Sequence, residues 1–69
     1  MPFIDVTIAQ GRSPEAIRAL IHELHEAAHR ALDASPGSIR VVVREVPTTH
    51  WAAGDLTIAE RHAHDQEVR

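Results

Sequence analysis

The sequence predicts a small α/β protein made of one βαβ unit with two parallel strands, followed by a short C-terminal hairpin. Two alternating apolar runs, at residues 3–9 and 39–46, have the period of half-buried strands. Between them, apolar residues recur at three- and four-residue intervals, which is typical of an amphipathic helix. Two strands joined by one helix run parallel and have a right-handed crossover.

The first strand, over residues 3–9, places Ile4, Val6 and Ile8 on one face. Its other face is mixed, with Phe3 followed by polar and small residues. Gly11 permits the turn that ends this strand. The strand should therefore cover a core with its aliphatic face only.

The helix begins at a well-defined signal. Ser13 can serve as the N-cap, Pro14 suits the first helical position and Glu15 suits the positive end of the helix dipole. The apolar residues that follow form a single stripe, consisting of Ile17, Leu20, Ile21, Leu24, Ala27, Ala28, Ala31 and Leu32. Because proline cannot continue a helix, we expect the helix to end at the Ser-Pro-Gly-Ser segment, residues 35–38.

The second strand, over residues 39–46, carries two arginines in a valine-rich segment. Arg40 and Arg44 lie on the face opposite to that of Val41 and Val43. An arginine among residues that favour burial needs an acidic partner or an anionic ligand. For Arg44 we expect a salt bridge with Glu45 or with a carboxylate of a neighbouring chain. For Arg40, a salt bridge and a ligand are both open.

The C-terminal part of the sequence is less regular. The pair Gly54-Asp55 marks a turn and indicates a short hairpin. Residues 58–69 are polar and have no apolar stripe, so they form either a short helix or a disordered tail. We therefore divide the chain into a domain over residues 1–56 and a tail over residues 57–69.

The composition restricts the class of protein. The chain has 69 residues, no cysteine and a net charge of −3. A domain of this size is marginally stable alone and cannot form disulfides here, so we expect it to oligomerise. The charge provides no basic surface for nucleic acid, and no segment approaches the roughly 20 apolar residues of a membrane span. Without a signal peptide at the N-terminus, we expect a cytoplasmic protein.

The N-terminus offers a catalytic group. If Met1 is removed, the secondary amine of Pro2 becomes free and is fixed at the start of the first strand. An α-amino group titrates near neutrality, so it can carry a proton at neutral pH. Arg40 lies near the start of the second strand and should share this end of a parallel sheet with Pro2. The alternative is that Met-Pro is an ordinary chain start.

Arginine, tryptophan and histidine provide further candidates. Arg12 precedes the helix, where free backbone amides attract anions, although a turn arginine is more commonly solvated. Trp51 either packs in a core or interface or forms the apolar wall of a small-molecule site. His22, His25 and His29 lie on one flank of the helix. No acidic residue completes an HExxH pattern with them, so we expect a polar flank and no metal site.

A set of segments lies at characteristic distances along the sequence: Pro2 after Met1, Ile8-Ala9-Gln10-Gly11-Arg12-Ser13, Ser38-Ile39-Arg40-Val41-Val42-Val43, and His50-Trp51. This spacing resembles, without gaps from Pro2 to about Gly54, the 4-oxalocrotonate tautomerase family of the tautomerase superfamily. A proline at the start is a weak signal alone. Its combination with Gly-Arg-Ser and Arg-Val-Val at these distances is a specific one.

The resemblance implies a homo-oligomer of βαβ subunits, a hexamer built as a trimer of dimers. It implies a cofactor-independent keto–enol tautomerase in which Pro2 is the general base for a small carboxylate substrate, a 2-hydroxydienoate such as 2-hydroxymuconate. Arg12 would hold a substrate carboxylate. Arg40 of a neighbouring subunit would bind the 2-hydroxy or 2-keto oxygen and the adjacent carboxylate, and Trp51 would line the pocket. This scaffold serves the catabolism of aromatic compounds and also secondary metabolism.

The sequence departs from the family at two places. Ala-Ala-Gly-Asp at residues 52–55 replaces the glycine-rich hairpin, and the tail beyond Leu56 is longer than in short members. Two other functions stay open. One is a hydratase or dehalogenase of an unsaturated acid on the same fold, which would need a further, water-activating carboxylate. The other is a non-catalytic oligomer that binds a small acid, or a metal through its histidines.

Overall fold

The protein consists of a strand, a helix and a strand, followed by a hairpin and a second helix. The computed structural model describes residues 1–68, and side chains for residues 1–65. The elements are β1 (Phe3–Ala9), α1 (Pro14–Leu32), β2 (Arg40–Val46), β3 (Ala52–Ala53), β4 (Leu56–Thr57) and α2 (Ile58–Val68). Short 3₁₀ turns, Pro36–Ser38 and Thr48–His50, precede β2 and the hairpin. Arg69, the last residue of the predicted tail, lies outside the described residues.

β1 and β2 pair in parallel, which confirms the predicted βαβ unit. The register runs from Phe3 opposite Arg40 to Ala9 opposite Val46. β2 begins one residue later than predicted, because Ile39 caps the preceding 3₁₀ turn. Alternation gives the helix-covered face its aliphatic residues, Ile4, Val6, Ile8, Val41 and Val43. Among the described residues only Ile39 is buried, at 7% exposure, so a single chain has little core of its own.

The other face of the sheet is bare. It carries Phe3, Asp5, Thr7, Arg40, Val42 and Arg44. Phe3 is 62% exposed on this face. The radius of gyration is 16.0 Å, against about 11 Å for a compact domain of this length. The chain is therefore elongated and leaves apolar surface that another chain could cover.

Arg44 forms an ion pair within its own sheet. Its Nε donates to Oδ1 of Asp5 at 3.0 Å, and its Nη2 donates to Oδ2 at 3.4 Å. Within the chain the partner is therefore Asp5, and the prediction of Glu45 was wrong. Asp5 is the diagonal neighbour of Arg44 on the bare face, whereas Glu45 alternates to the other face. Both side chains are largely exposed, so the pair should contribute no more than about 1 kcal/mol to stability.

α1 begins as predicted but ends earlier. The Ser13 hydroxyl accepts a hydrogen bond from the backbone amide of Ala16 at 3.1 Å, and this confirms Ser13 as the N-cap. The helix ends at Leu32, because Asp33 adopts the left-handed conformation with φ 52°. Aspartate is one of the few non-glycine residues that adopt this conformation readily. The predicted end at residues 35–38 was therefore too late.

β3 and β4 pair antiparallel around Gly54-Asp55, and this confirms the predicted hairpin. Gly54 has φ 64°, a value that glycine adopts without steric cost. Residues 58–68 then form α2, so the helical alternative for the tail is the correct one. Neither helix in the described part of the chain is long and apolar enough to span a membrane.

A capping box between Thr57 and Glu60 starts α2. The Thr57 hydroxyl accepts from the Glu60 amide at 3.1 Å, and Glu60 Oε1 accepts from the Thr57 amide at 3.0 Å and from its hydroxyl at 2.9 Å. We expect Thr57→Ala to destabilise α2 by about 1 kcal/mol. Amide hydrogen exchange along α2 would measure this, and unchanged exchange rates would contradict it.

The capping box should also make α2 sensitive to acid. Hydrogen bonds from the Thr57 backbone amide and hydroxyl lower the pKa of the Glu60 carboxyl below its usual value. A lowered pKa stabilises the folded form fully above the ordinary carboxyl pKa, and this contribution is lost as the pH falls through the lowered value. In that acidic range the α-carbon chemical shifts of residues 59–62 should move towards coil values. A Glu60→Gln variant that shows the same transition would contradict this prediction.

Candidate active site

Pro2 is held at one end of the sheet. Its carbonyl accepts a hydrogen bond from the backbone amide of Arg40 at 3.0 Å. Pro2 is half-buried, whereas Met1 is 88% exposed. Removal of Met1 would therefore free the Pro2 nitrogen without disturbing packed side chains. The structure brings Pro2 and Arg40 together at the end of the sheet where parallel pairing predicts them.

The side chain of Arg40 is hydrogen-bonded to the connection between α1 and β2. Its Nη1 donates to the carbonyl oxygen of Gly37 at 2.8 Å. The residue is exposed, so the rest of its guanidinium is open to an anionic ligand. In its own chain, Arg40 thus contacts the Pro2 backbone through its amide and Gly37 through its side chain.

Arg12 and Trp51 both lie at the other end of the sheet from Pro2, beyond the C-terminal ends of the strands. Arg12 follows β1, and its Nη1 donates to the last carbonyl of that strand at 3.2 Å. Trp51 follows β2 and is 37% exposed. A strand of the length of β1 spans roughly 20 Å, so Pro2 and Arg12 of one chain cannot hold the same small molecule. A single chain therefore divides the predicted site residues between two ends of its sheet.

An open groove of about 320 Å³ lies at the Arg12 end. It is lined by Arg12, Pro14, Ile17, Arg18, Ile21 and Glu45. Aliphatic walls with a few charged groups suit a small organic acid. Sequence reasoning did not assign Arg18 and Glu45 to this place. Strand alternation could have placed Glu45 here, because it turns this residue towards α1. Arg18 could have been placed here because it lies near the start of α1, which follows Arg12 in the chain.

The histidines of α1 contact the connection that follows the helix. His25 Nε2 donates to the carbonyl oxygen of Pro36 at 3.1 Å, and His29 Nδ1 donates to that of Ala34 at 2.8 Å. His22 is exposed. In the part of the chain that the structure describes, no group of three or more His, Cys, Asp or Glu residues is arranged to hold a metal ion. His25 and His29 thus act as donors to the backbone.

These observations define a class of protein: a small βαβ subunit whose candidate catalytic groups lie at the ends of a two-stranded parallel sheet. The family model described as "Tautomerase enzyme" matches residues 2–61. A probable tautomerase of Ralstonia nicotianae is 49% identical over 56 residues, which cover 81% of this chain and 80% of the relative. A 2-hydroxymuconate tautomerase of Stutzerimonas stutzeri is 43% identical over 54 residues, covering 78% and 86%.

Solved structures agree with the sequence relatives. TomN, a 4-oxalocrotonate tautomerase homologue in the tomaymycin biosynthetic pathway, superposes with a TM-score of 0.87 at 42% identity, covering 90% of this chain and 95% of its own. A heterohexamer 4-oxalocrotonate tautomerase from Chloroflexus aurantiacus superposes with a TM-score of 0.83 at 37% identity, and the match covers 87% of this chain and 97% of the relative. The chain belongs to the tautomerase family and is an isomerase of the 4-oxalocrotonate tautomerase type. The predicted resemblance is confirmed.

Proposed function

We propose that this protein is a cofactor-independent tautomerase that ketonises a small 2-hydroxydienoate such as 2-hydroxymuconate, with Pro2 as the general base. The observation that carries the proposal is the 3.0 Å hydrogen bond from the Arg40 amide to the Pro2 carbonyl. This bond holds Pro2 against the sheet, so a free amine at residue 2 would have a fixed position. Relatives named 2-hydroxymuconate tautomerase support the substrate class.

The proposed reaction moves a proton within the substrate. The Pro2 nitrogen takes the proton of the dienol hydroxyl and leaves a dienolate, whose oxygen electron pair forms the C=O bond and shifts the conjugated double bonds as carbon is protonated. The protonated amine then returns a proton to carbon. Between these two transfers the substrate oxygen carries negative charge, which the guanidinium of Arg40 stabilises. The net change is a proton moved from oxygen to carbon, so atoms and electrons balance.

We propose that the site is shared between chains. Arg12 and Trp51 are at the other end of the sheet from Pro2, so a second copy must bring them to Pro2, where Arg12 binds a carboxylate and Trp51 supplies an apolar wall. Arg40 of a neighbouring subunit would complete the site, as the resemblance to the family implies, with its guanidinium held by the Gly37 carbonyl of its own chain. A hexamer built as a trimer of dimers would supply these contacts and cover the bare sheet face. The relative from Chloroflexus aurantiacus, described as a heterohexamer, supports an assembly of six chains.

The direct test is the ultraviolet-monitored ketonisation of 2-hydroxymuconate by protein of known intact mass and known oligomeric state. We expect rapid turnover by a hexamer that lacks Met1. A protein that has a free Pro2 and assembles correctly, yet does not accelerate ketonisation, would rule out the proposed function. Turnover of a different enol acid alone would change only the substrate.

Arg12→Ala should weaken substrate binding more than it slows turnover. A hydrogen bond to a charged group is worth about 1.5–3 kcal/mol, so we expect KM to rise by about tenfold to a hundredfold. The value of kcat should change much less, because the carboxylate is already charged in the ground state. Steady-state kinetics measure both constants. A fall in kcat alone would assign Arg12 to the transition state instead.

A mixing experiment tests the shared site. Pro2→Ala and Arg12→Ala each damage every site of their own oligomer. When the two variants are unfolded and refolded together, random mixing should restore about one quarter of the native kcat/KM, provided that Pro2 and Arg12 of a site come from different chains. If one chain supplied both residues, mixing would restore nothing.

A further inference from the structure

His25 and His29 connect α1 to the segment that precedes Arg40. The two residues are four positions apart, so their rings leave the same side of the helix. His29 Nδ1 donates to the Ala34 carbonyl at 2.8 Å, and His25 Nε2 donates to the Pro36 carbonyl at 3.1 Å. Two side chains of α1 thus hold two alternate carbonyls of the connection between α1 and β2.

The same connection holds Arg40 on its other side. The Pro36 carbonyl that accepts from His25 also accepts from the amide of Ile39, at 3.4 Å. The next carbonyl, that of Gly37, accepts from the Arg40 guanidinium at 2.8 Å. The 3₁₀ turn Pro36–Ser38 therefore accepts from the His25 imidazole on the helix side and from the Arg40 guanidinium on the sheet side, while His29 holds Ala34, two residues before the turn. A displacement of this turn would shift the carbonyl to which the guanidinium is hydrogen-bonded.

We propose that His25 and His29 are positioning residues that fix the α1–β2 connection and thereby the guanidinium of Arg40. This inference rests on the proposed function, in which that guanidinium stabilises charge on the substrate oxygen. Within the turn, the Ser38 amide and hydroxyl both donate to the Ser35 carbonyl, at 2.9 and 2.8 Å, but these bonds do not join the turn to α1. The bonds from His25 and His29 make that connection. A displacement of a catalytic group by about 1 Å can cost up to about 10²-fold in rate. The histidine pair therefore has a role in turnover without touching the substrate.

Asparagine and glutamine distinguish the two donors. The amide nitrogen of asparagine is as many bonds from Cα as Nδ1 of histidine, and that of glutamine as many as Nε2. His29→Asn and His25→Gln should therefore keep kcat close to the native value. His29→Gln and His25→Asn should lower kcat by about tenfold or more, with little change in KM. If the two substitutions behave alike at either position, the proposal is overturned.

His22→Ala is the matched control, because His22 lies on the same helix, is exposed, and its side chain forms no hydrogen bond to the described residues. It should leave kcat unchanged. Size-exclusion chromatography and circular dichroism establish that each variant is folded and assembled. Asparagine is expected to retain activity at position 29 and glutamine at position 25. A difference in helix propensity would favour the same residue at both positions, so it would not produce this result.

A second measurement does not depend on turnover. Amide hydrogen exchange of Ile39 and Arg40 should accelerate in His25→Asn and His29→Gln, and stay native in His25→Gln and His29→Asn. If the native protein does not ketonise the dienol, the proposed function fails, while this exchange pattern still tests the positioning of Arg40. Native exchange rates in all four variants would overturn the inference, whatever the activity of the protein.

Discussion

Replacing Pro2 by alanine is expected to lower kcat for 2-hydroxymuconate by about a hundredfold or more, while the oligomer remains assembled. The proline ring fixes the orientation of its nitrogen relative to β1, whereas the primary amine of an N-terminal alanine rotates freely. The substitution keeps the carbonyl of residue 2, so the hydrogen bond from the Arg40 amide is retained and the sheet should not open. Stopped-flow or steady-state ultraviolet kinetics would measure the loss.

This experiment needs two controls. The intact mass of both proteins must show that Met1 has been removed, because a retained Met1 converts the amine into an amide. Pro47→Ala removes a proline that lies beyond the other end of the sheet and should keep kcat near the native value. If Pro2→Ala, with a free N-terminus, turned over as fast as the native protein, Pro2 could not be the base.

Arg40→Ala is expected to lower kcat by about 10²- to 10³-fold, as for the loss of one donor to a developing oxyanion. The substrate oxygen is neutral in the bound dienol and gains negative charge only as the proton leaves, so KM should rise far less than kcat falls. Arg40→Lys should recover only part of the loss, because an ammonium group lacks the planar fork that binds two oxygens. Comparing kcat and KM among the three proteins measures the effect.

Arg44→Ala is the matched control for this prediction. Arg44 lies on the same strand and the same bare face as Arg40, but its guanidinium is paired with Asp5. Its removal should cost no more than about 1 kcal/mol of stability and leave kcat nearly unchanged. If the two alanine variants lost equal activity, the loss would reflect the surface charge of β2 and not a specific role of Arg40.

Local signals account for the parts of the fold that the sequence predicts. Alternation fixed which face of β1 packs against α1, and Ser13 fixed the start of the helix. The end of α1 was misplaced because the signal used was Pro36, whereas the helix is ended by the left-handed conformation of Asp33. Aspartate is compatible with this conformation but does not require it, so only the folded backbone shows where the helix stops.

Side-chain partners were predicted less well than elements. Arg44 was assigned to a neighbour in sequence or to another chain, and its partner is Asp5, which lies on a different strand. The α1 histidines were examined for metal spacing, yet two of them donate to carbonyls eleven and five positions further along the chain. In both cases the partner is set by how the crossover brings distant segments together, which periodicity does not encode.

The sequence by itself determined the βαβ unit, its parallel pairing and the candidate residues Pro2, Arg12, Arg40 and Trp51. These follow from local periodicity, from capping and from motif spacing along one chain. Parallel pairing also predicted that Pro2 and Arg40 share one end of the sheet; only the tertiary structure gave the Phe3–Arg40 register and the hydrogen bond that joins them, and placed Arg12 and Trp51 beyond the other end. The physical reason is that strand length and register, which arise from pairing between distant segments, determine the distance between side chains. The distance between Pro2 and Arg12 within one chain is the reason why the proposed site needs a second copy of the chain.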